Sequence, residues 1–186
     1  MAKLILLEGF AGSGKTTIAE RYVSEHPLAI NIEGDRIITM LGQWLQHEEQ
    51  ARKLVFELTK TMAKTCLASD SDVVVPYLPT HPDHAEQFES IARRVGADFC
   101  EVILEVDRSD AIQRLLERGS WGEEGTEPIT NADLPVINDL HDRMSNALKD
   151  RDDATRITSV YGNVDDTYRQ FLASIATKPD ISNLGA

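Results

Sequence analysis

Eight consecutive residues near the start of the chain, Gly9-Phe10-Ala11-Gly12-Ser13-Gly14-Lys15-Thr16, satisfy the spacing G-x-x-x-x-G-K-[ST] at every fixed position. The glycines allow a backbone whose successive N–H groups converge on an oxyanion, and a helix beginning there adds about half a unit of positive charge. Lys15 carries a mobile full charge suited to β- and γ-phosphates, and the Thr16 hydroxyl suits Mg²⁺. The spacing therefore predicts a triphosphate cradle built from Gly9, Ala11, Gly12, Ser13, Gly14, Lys15, Thr16 and Thr17. Context agrees, because the motif follows an apolar run, Lys3–Leu7, and opens a helical pattern carrying Ile18, Tyr22 and Val23.

Other residues must decide which chemistry the triphosphate serves. No Asn in the chain is followed by Lys, so the Asn-Lys-x-Asp segment that reads guanine is absent. Asp107 closes an apolar run where a motor ATPase places acidic residues, but with Ser109 it also stands where a helix N-cap belongs. Asp35 follows the second apolar run, where it can cap a helix starting near Arg36. Arg114 and Arg118 lie one turn apart on a helical stretch, where a surface pair such as Asp110 with Arg114 is available. Arg143 is a further phosphate-contacting candidate.

Positioning these groups requires alternating strands and helices. Short continuous apolar runs at Lys3–Leu7, Ala29–Ile32, Val73–Leu78, Phe99–Val106 and Thr155–Val160 suit strands of a parallel sheet covered on both faces. Between them apolar residues recur three and four apart: Ile37, Leu41, Trp44 and Leu45; Leu54, Leu58, Met62 and Cys66; Ala85, Phe88, Ile91 and Val95; Leu134, Ile137, Leu140, Met144 and Leu148; Val164, Tyr168, Phe171 and Ile175. The expected order is βαβααβαβααβα, an α/β architecture in one domain spanning residues 1–186. Residues 118–135 break the pattern with Gly119, Gly122, Gly125, Pro128 and Pro135, and read as a mobile lid or a variable surface loop.

Composition narrows the partners. The 186 residues carry 19 Lys+Arg against 31 Asp+Glu, a formal charge of −12, which argues against broad binding to nucleic acid or an anionic membrane. No apolar stretch approaches a membrane span, and Glu8 cuts short the N-terminal apolar run before it reaches signal-peptide length, so a cytoplasmic location is expected. Cys66 and Cys100 are expected to be buried free thiols.

The phosphate loop near the N-terminus, Asp35 after the second strand, and an Arg114-x-x-x-Arg118 helix leading into a glycine-rich segment resemble the small P-loop kinases. That group includes adenylate, shikimate and gluconate kinases and chloramphenicol phosphotransferase. The resemblance implies a three-layer P-loop nucleoside triphosphate hydrolase fold with a parallel sheet in the order 2-3-1-4-5, ATP and Mg²⁺ as cofactors, and a lid. It makes Lys15, Asp35 and Arg118 the catalytic candidates, Thr16 and Asp35 the metal candidates, and Arg114 a further nucleotide contact. Asp35, Arg36 and Tyr77 become acceptor contacts, with Trp44, His81 and His84 nearby by position. Tyr161-Gly162-Asn163 matches the segment that holds adenine in the relatives. The chain departs from the group in two places: its third strand lacks a terminal acidic residue, and residues 120–134 hold Glu123, Glu124 and Glu127 but no arginine. A lid of that charge favours a neutral or cationic small-molecule acceptor in a kinase that is a monomer or homodimer. A nucleoside or nucleotide kinase, and an ATP-binding regulatory protein, remain the alternatives.

Overall fold

A computed structural model describes residues 1–160 and 162–176. Five strands, β1 (Lys3–Gly9), β2 (Ile30–Asn31), β3 (Val73–Tyr77), β4 (Asp98–Glu105) and β5 (Thr155–Thr158), form one sheet in the order β2-β3-β1-β4-β5. Every pairing is parallel, with Leu6 of β1 opposite Val75 of β3 and Glu101 of β4. The helices are α1 (Lys15–Glu25), α2 (Gly34–Ile38), α3 (Glu48–Ala68), α4 (Asp83–Val95), α5 (Arg108–Arg118), α6 (Leu134–Leu148) and α7 (Val164–Ile175). Element order and sheet order both match expectation, and the strand ends shift by at most two residues. Among the described residues no helix is long and apolar enough to cross a membrane.

The strands are apolar on both sides because helices cover both sides. Ile5 and Leu7 pack with Ile18, Ala19 and Tyr22 of α1 and with Tyr168, Phe171 and Ile175 of α7. Leu4 and Leu6 face the other way, onto Ala63 and Leu67 of α3 and Ala85, Phe88 and Ala92 of α4. Beyond them Phe10 and Ile103 meet Ala111 and Leu115 of α5 and Ile137 and Met144 of α6. Asp72, just before β3, fastens the sheet's lower edge by accepting from the Lys3 amide at 2.8 Å and the Tyr22 hydroxyl at 2.6 Å.

Two sequence expectations shift by a turn or an exposure class. The core face of α3 is Ala51, Val55, Thr59, Ala63 and Leu67, while Leu54 and Met62 are exposed. Small side chains face inward there because α3 lies close against its neighbours, so the larger residues one position earlier point to solvent. Cys66 and Cys100 are free but only partly buried. Trp44 is core, packed with Ile38, Ala51 and Val55.

Candidate active site

The turn from β1 into α1 depends on glycine. Gly9, Gly12 and Gly14 have φ of +149°, +84° and +94°, a region that disfavours L side chains. At Gly9 the limit is also spatial, since a Cβ would lie 2.7 Å from both the Leu104 carbonyl oxygen and Ser13 Oγ. Gly14 stands at the N-cap of α1 without a side-chain cap, so the first-turn N–H groups are left to a ligand. Ser13 is fully buried and its hydroxyl has no hydrogen-bond partner among the described residues. Lys15 folds back over the loop and donates from Nζ to the Gly9 and Phe10 carbonyls, both at 2.7 Å. A ligand's phosphate oxygens are better partners for that ammonium than backbone carbonyls. Thr16 and Thr17 are exposed at the start of α1.

Charges converge on Lys15. Burial pushes its ammonium down to about 8, Arg118 pushes the same way, and Asp35 and Glu8 oppose them. Asp35 lies in the first turn of α2, whose N-cap is Glu33, so it does not cap the helix. The residue is exposed overall, yet partial desolvation raises its carboxyl, Glu123 and Glu33 raise it further, and Lys15 and Arg52 hold it down. Lys15, Asp35 and Arg118 thus share one electrostatic neighbourhood at the carboxyl ends of β1 and β2.

The two arginines of α5 make different contacts. Arg118 donates from Nε to the Ser120 carbonyl at 2.7 Å and from Nη2 to the Trp121 carbonyl at 2.9 Å. Arg114 leans on the phosphate loop, its Nη1 3.4 Å from the Gly12 carbonyl. Arg143 pairs with Asp139 on its own helix. The glycine-rich segment is folded down: the Ile129 amide donates to the Gly119 carbonyl at 3.0 Å, Ile129 is buried, and Glu123 is 7% exposed.

Several acceptor candidates stand elsewhere. Arg36 is exposed and pairs with Glu20 and Glu33. Tyr77 bonds through its hydroxyl to His84 Nδ1 at 2.5 Å and packs among Phe56 and Phe88, on the α3–α4 side of the sheet. Burial and Glu8 together push its phenol well above the usual range. His81 is exposed beside Asp83. Asp107 caps α5, accepting from the Ser109 amide at 2.9 Å. Asn163 caps α7 in the same way, and Tyr161 lies outside the described residues.

Three residues that local pattern reading passed over matter here. Glu8 is 1% exposed with one carboxyl oxygen unpartnered. Its signal is an acid ending an otherwise apolar strand. Arg52 and Glu123 meet across 71 positions of sequence, and no local pattern marks them.

Among the described residues no cluster of three or more His, Cys, Asp or Glu side chains could hold a metal by itself. That donor set fits Mg²⁺, which takes few protein ligands and is held largely by phosphates and water. Thr16 and Asp35 carry oxygen donors that could hold such an ion.

A family model described as an AAA domain matches residues 4–147. No curated protein sequence gives a match. Among solved structures, a gluconokinase from Sinorhizobium meliloti aligns with TM-score 0.65 at 16% identity, covering 92% of this chain and 90% of that one. Shikimate kinase from Aquifex aeolicus gives TM-score 0.63 at 18% identity over 92% and 95%. The tunicamycin resistance protein of Deinococcus radiodurans gives 0.59 at 16% over 96% and 98%. At such identities the likeness speaks for the fold.

Proposed function

The chain belongs to the AAA domain family, and from that premise we propose that it is an ATP-dependent kinase moving a γ-phosphoryl group to a hydroxyl of a small molecule. The observation that carries this reading is the meeting of Lys15 and Asp35: a phosphate-binding ammonium and a carboxylate in one electrostatic neighbourhood, at a loop whose first-turn amides are uncapped. A carboxylate there can take the proton of an acceptor hydroxyl, a task that phosphate binding alone does not require.

Within this reading Lys15 leaves the Gly9 and Phe10 carbonyls and neutralises phosphate oxygens, the amides of residues 12–16 hold the β-phosphate, and Arg118 and Arg114 face the transferring group. Asp35 orients the acceptor hydroxyl and takes its proton as the oxygen–phosphorus bond forms and the bond to the ADP oxygen breaks. Thr16 and, through water, Asp35 would hold Mg²⁺, which would supply positive charge to offset that of the phosphates. The segment over residues 118–135 serves as the lid and excludes water. Its acidic character at Glu124 and Glu127 disfavours a second nucleotide and favours a neutral or cationic acceptor.

ATP consumption measured across a panel of hydroxylated metabolites, nucleosides and antibiotics tests the proposal, with Lys15→Ala as the control. Acceptor-dependent consumption that Lys15→Ala abolishes supports it. ATP binding with no consumption on any member points instead to a regulatory ATP-binding protein.

A further inference from the structure

Arg52 of α3 and Glu123 of the glycine-rich segment meet beside Asp35. Arg52 donates from Nη1 and Nη2 to Glu123 Oε1, both at 3.1 Å. The Glu123 side chain is 6% exposed and that of Arg52 51%, so the guanidinium reaches in from solvent to a buried carboxylate. The preceding residue, Gly122, has φ +115°, and a Cβ there would lie 3.3 Å from Asp35 Oδ2. The segment backbone therefore rests against one oxygen of Asp35, while the residue stays exposed to an incoming molecule. Two neighbours reinforce the seat: Thr126 Oγ1 donates to the Glu123 carbonyl at 2.9 Å, and Gly125 lies over Leu45.

A buried carboxylate is costly unless its counter-charge is in place, and a second carboxylate beside it adds repulsion. Around Asp35 and Glu123 the cations are Lys15 and Arg52, and Glu33 is the remaining acid. Lys15 is committed to the phosphate loop. Among the described residues it is Arg52 whose hydrogen bonds compensate Glu123, and without it the two carboxylates drive the segment away from α2.

We propose that Arg52 and Glu123 are positioning residues whose ion pair latches the segment to α3 and holds Gly122 against Asp35, orienting that carboxylate before an acceptor arrives. The role assigned to Asp35 rests on the kinase reading; the latch does not.

Hydrogen exchange of the free 186-residue chain separates the two. Arg52→Met keeps a long apolar stem, removes the charge and leaves Glu123 buried without compensation; exchange across residues 120–129 then quickens by about tenfold or more. Exchange in β1 and β4 stays unchanged, which shows that the variant is folded. Arg52→Lys keeps the charge and retains most of the protection. Protection in Arg52→Met equal to wild type overturns the latch. Hydrolysis of Mg·ATP, with water as the acceptor, reads the positioning role: kcat falls by about tenfold in Arg52→Met with KM for ATP within about twofold, and recovers in Arg52→Lys. Faster exchange with unchanged kcat overturns positioning while leaving the latch. Where the wild type hydrolyses no ATP with water, kcat is read with the acceptor found in the panel; failure of every acceptor counts against the kinase reading, and the exchange result still decides the latch.

Discussion

At the scale of single residues, the site pairs a depressed ammonium with an elevated carboxyl. Lys15 stands at about 8 in the free protein against an ordinary 10.5, because burial outweighs the help of Asp35 and Glu8. Phosphate oxygens favour its charged form, so triphosphate binding above pH 8 must draw a proton from solvent. Calorimetric titration with Mg·ATP at pH 9, in buffers of different ionisation enthalpy, should show uptake approaching about one proton, and almost none at pH 7. Equal proton exchange at the two pH values would remove Lys15 from phosphate contact. Asp35 answers to a different measurement. Asp35→Asn keeps shape and loses charge, so turnover should drop by roughly 10²-fold or more with ATP affinity little changed. A collapse of ATP affinity instead would make Asp35 chiefly a metal residue.

At the scale of elements, the phosphate loop is held in shape from outside as well as by its own glycines. Gly12 has φ +84°, and a Cβ on it would lie 3.3 Å from both the Ala111 carbonyl oxygen and Arg114 Cβ, so α5 packs directly on the loop. Gly12→Ala is expected to cost about 1–3 kcal/mol of stability through backbone strain. It should also weaken triphosphate binding, because relief of the contact displaces either the loop or Arg114. A thermal melt and an ATP titration of the same variant check both parts, and a variant with wild-type affinity would show that α5 yields without disturbing the loop. The glycine-rich segment tells a similar story about α3. Its acidic composition suggests repulsion of phosphate, but one of its three glutamates, Glu123, is compensated by Arg52.

At the scale of the whole molecule, a buried acid sits in the sheet directly behind the phosphate loop. Burial raises the Glu8 carboxyl far above its ordinary range, and the charge and hydrogen bond of Glu101 raise it further, while Arg151 and Arg156 oppose the shift less strongly. Arg151 is occupied by its bidentate grip on Glu101. A carboxyl whose folded value lies above its unfolded one stabilises the fold fully at acid pH, and that contribution is lost as pH rises through the raised value. Glu8→Gln removes the titration and keeps the volume. Thermal melts between pH 4 and pH 9 should therefore show the variant gaining on the wild type as pH rises, and being the more stable of the two at pH 8. A constant difference across that range would mean that Glu8 is ionised in the fold and compensated by its neighbouring arginines.

The sequence by itself determined the parts of this protein whose physics is local. A strand, a turn and a helix start are written in consecutive residues, so Gly9 to Thr16 declared the phosphate loop, and the period of apolar residues declared the strands and most helices. The stripe of Ile37, Leu41, Trp44 and Leu45 is instead divided between the end of α2 at Ile38, a turn, and a 3-10 helix over Trp44–His47. The sheet order followed from resemblance to a known architecture. Even within a helix the limit of local reading is visible: the spacing of Leu54, Leu58 and Met62 fits a core face, but the closeness of α3 to its neighbours selected Ala51, Val55 and Ala63. Tertiary structure alone decided what depends on groups far apart in the chain. It sent Arg36 to Glu20 and Glu33, and Tyr77 to His84. It also buried Glu8 beside Glu101, and it closed the pair of Arg52 with Glu123 over 71 positions. Charges are sorted in this way because a buried ion must find its partner wherever packing puts one, and sequence separation carries no information about that distance.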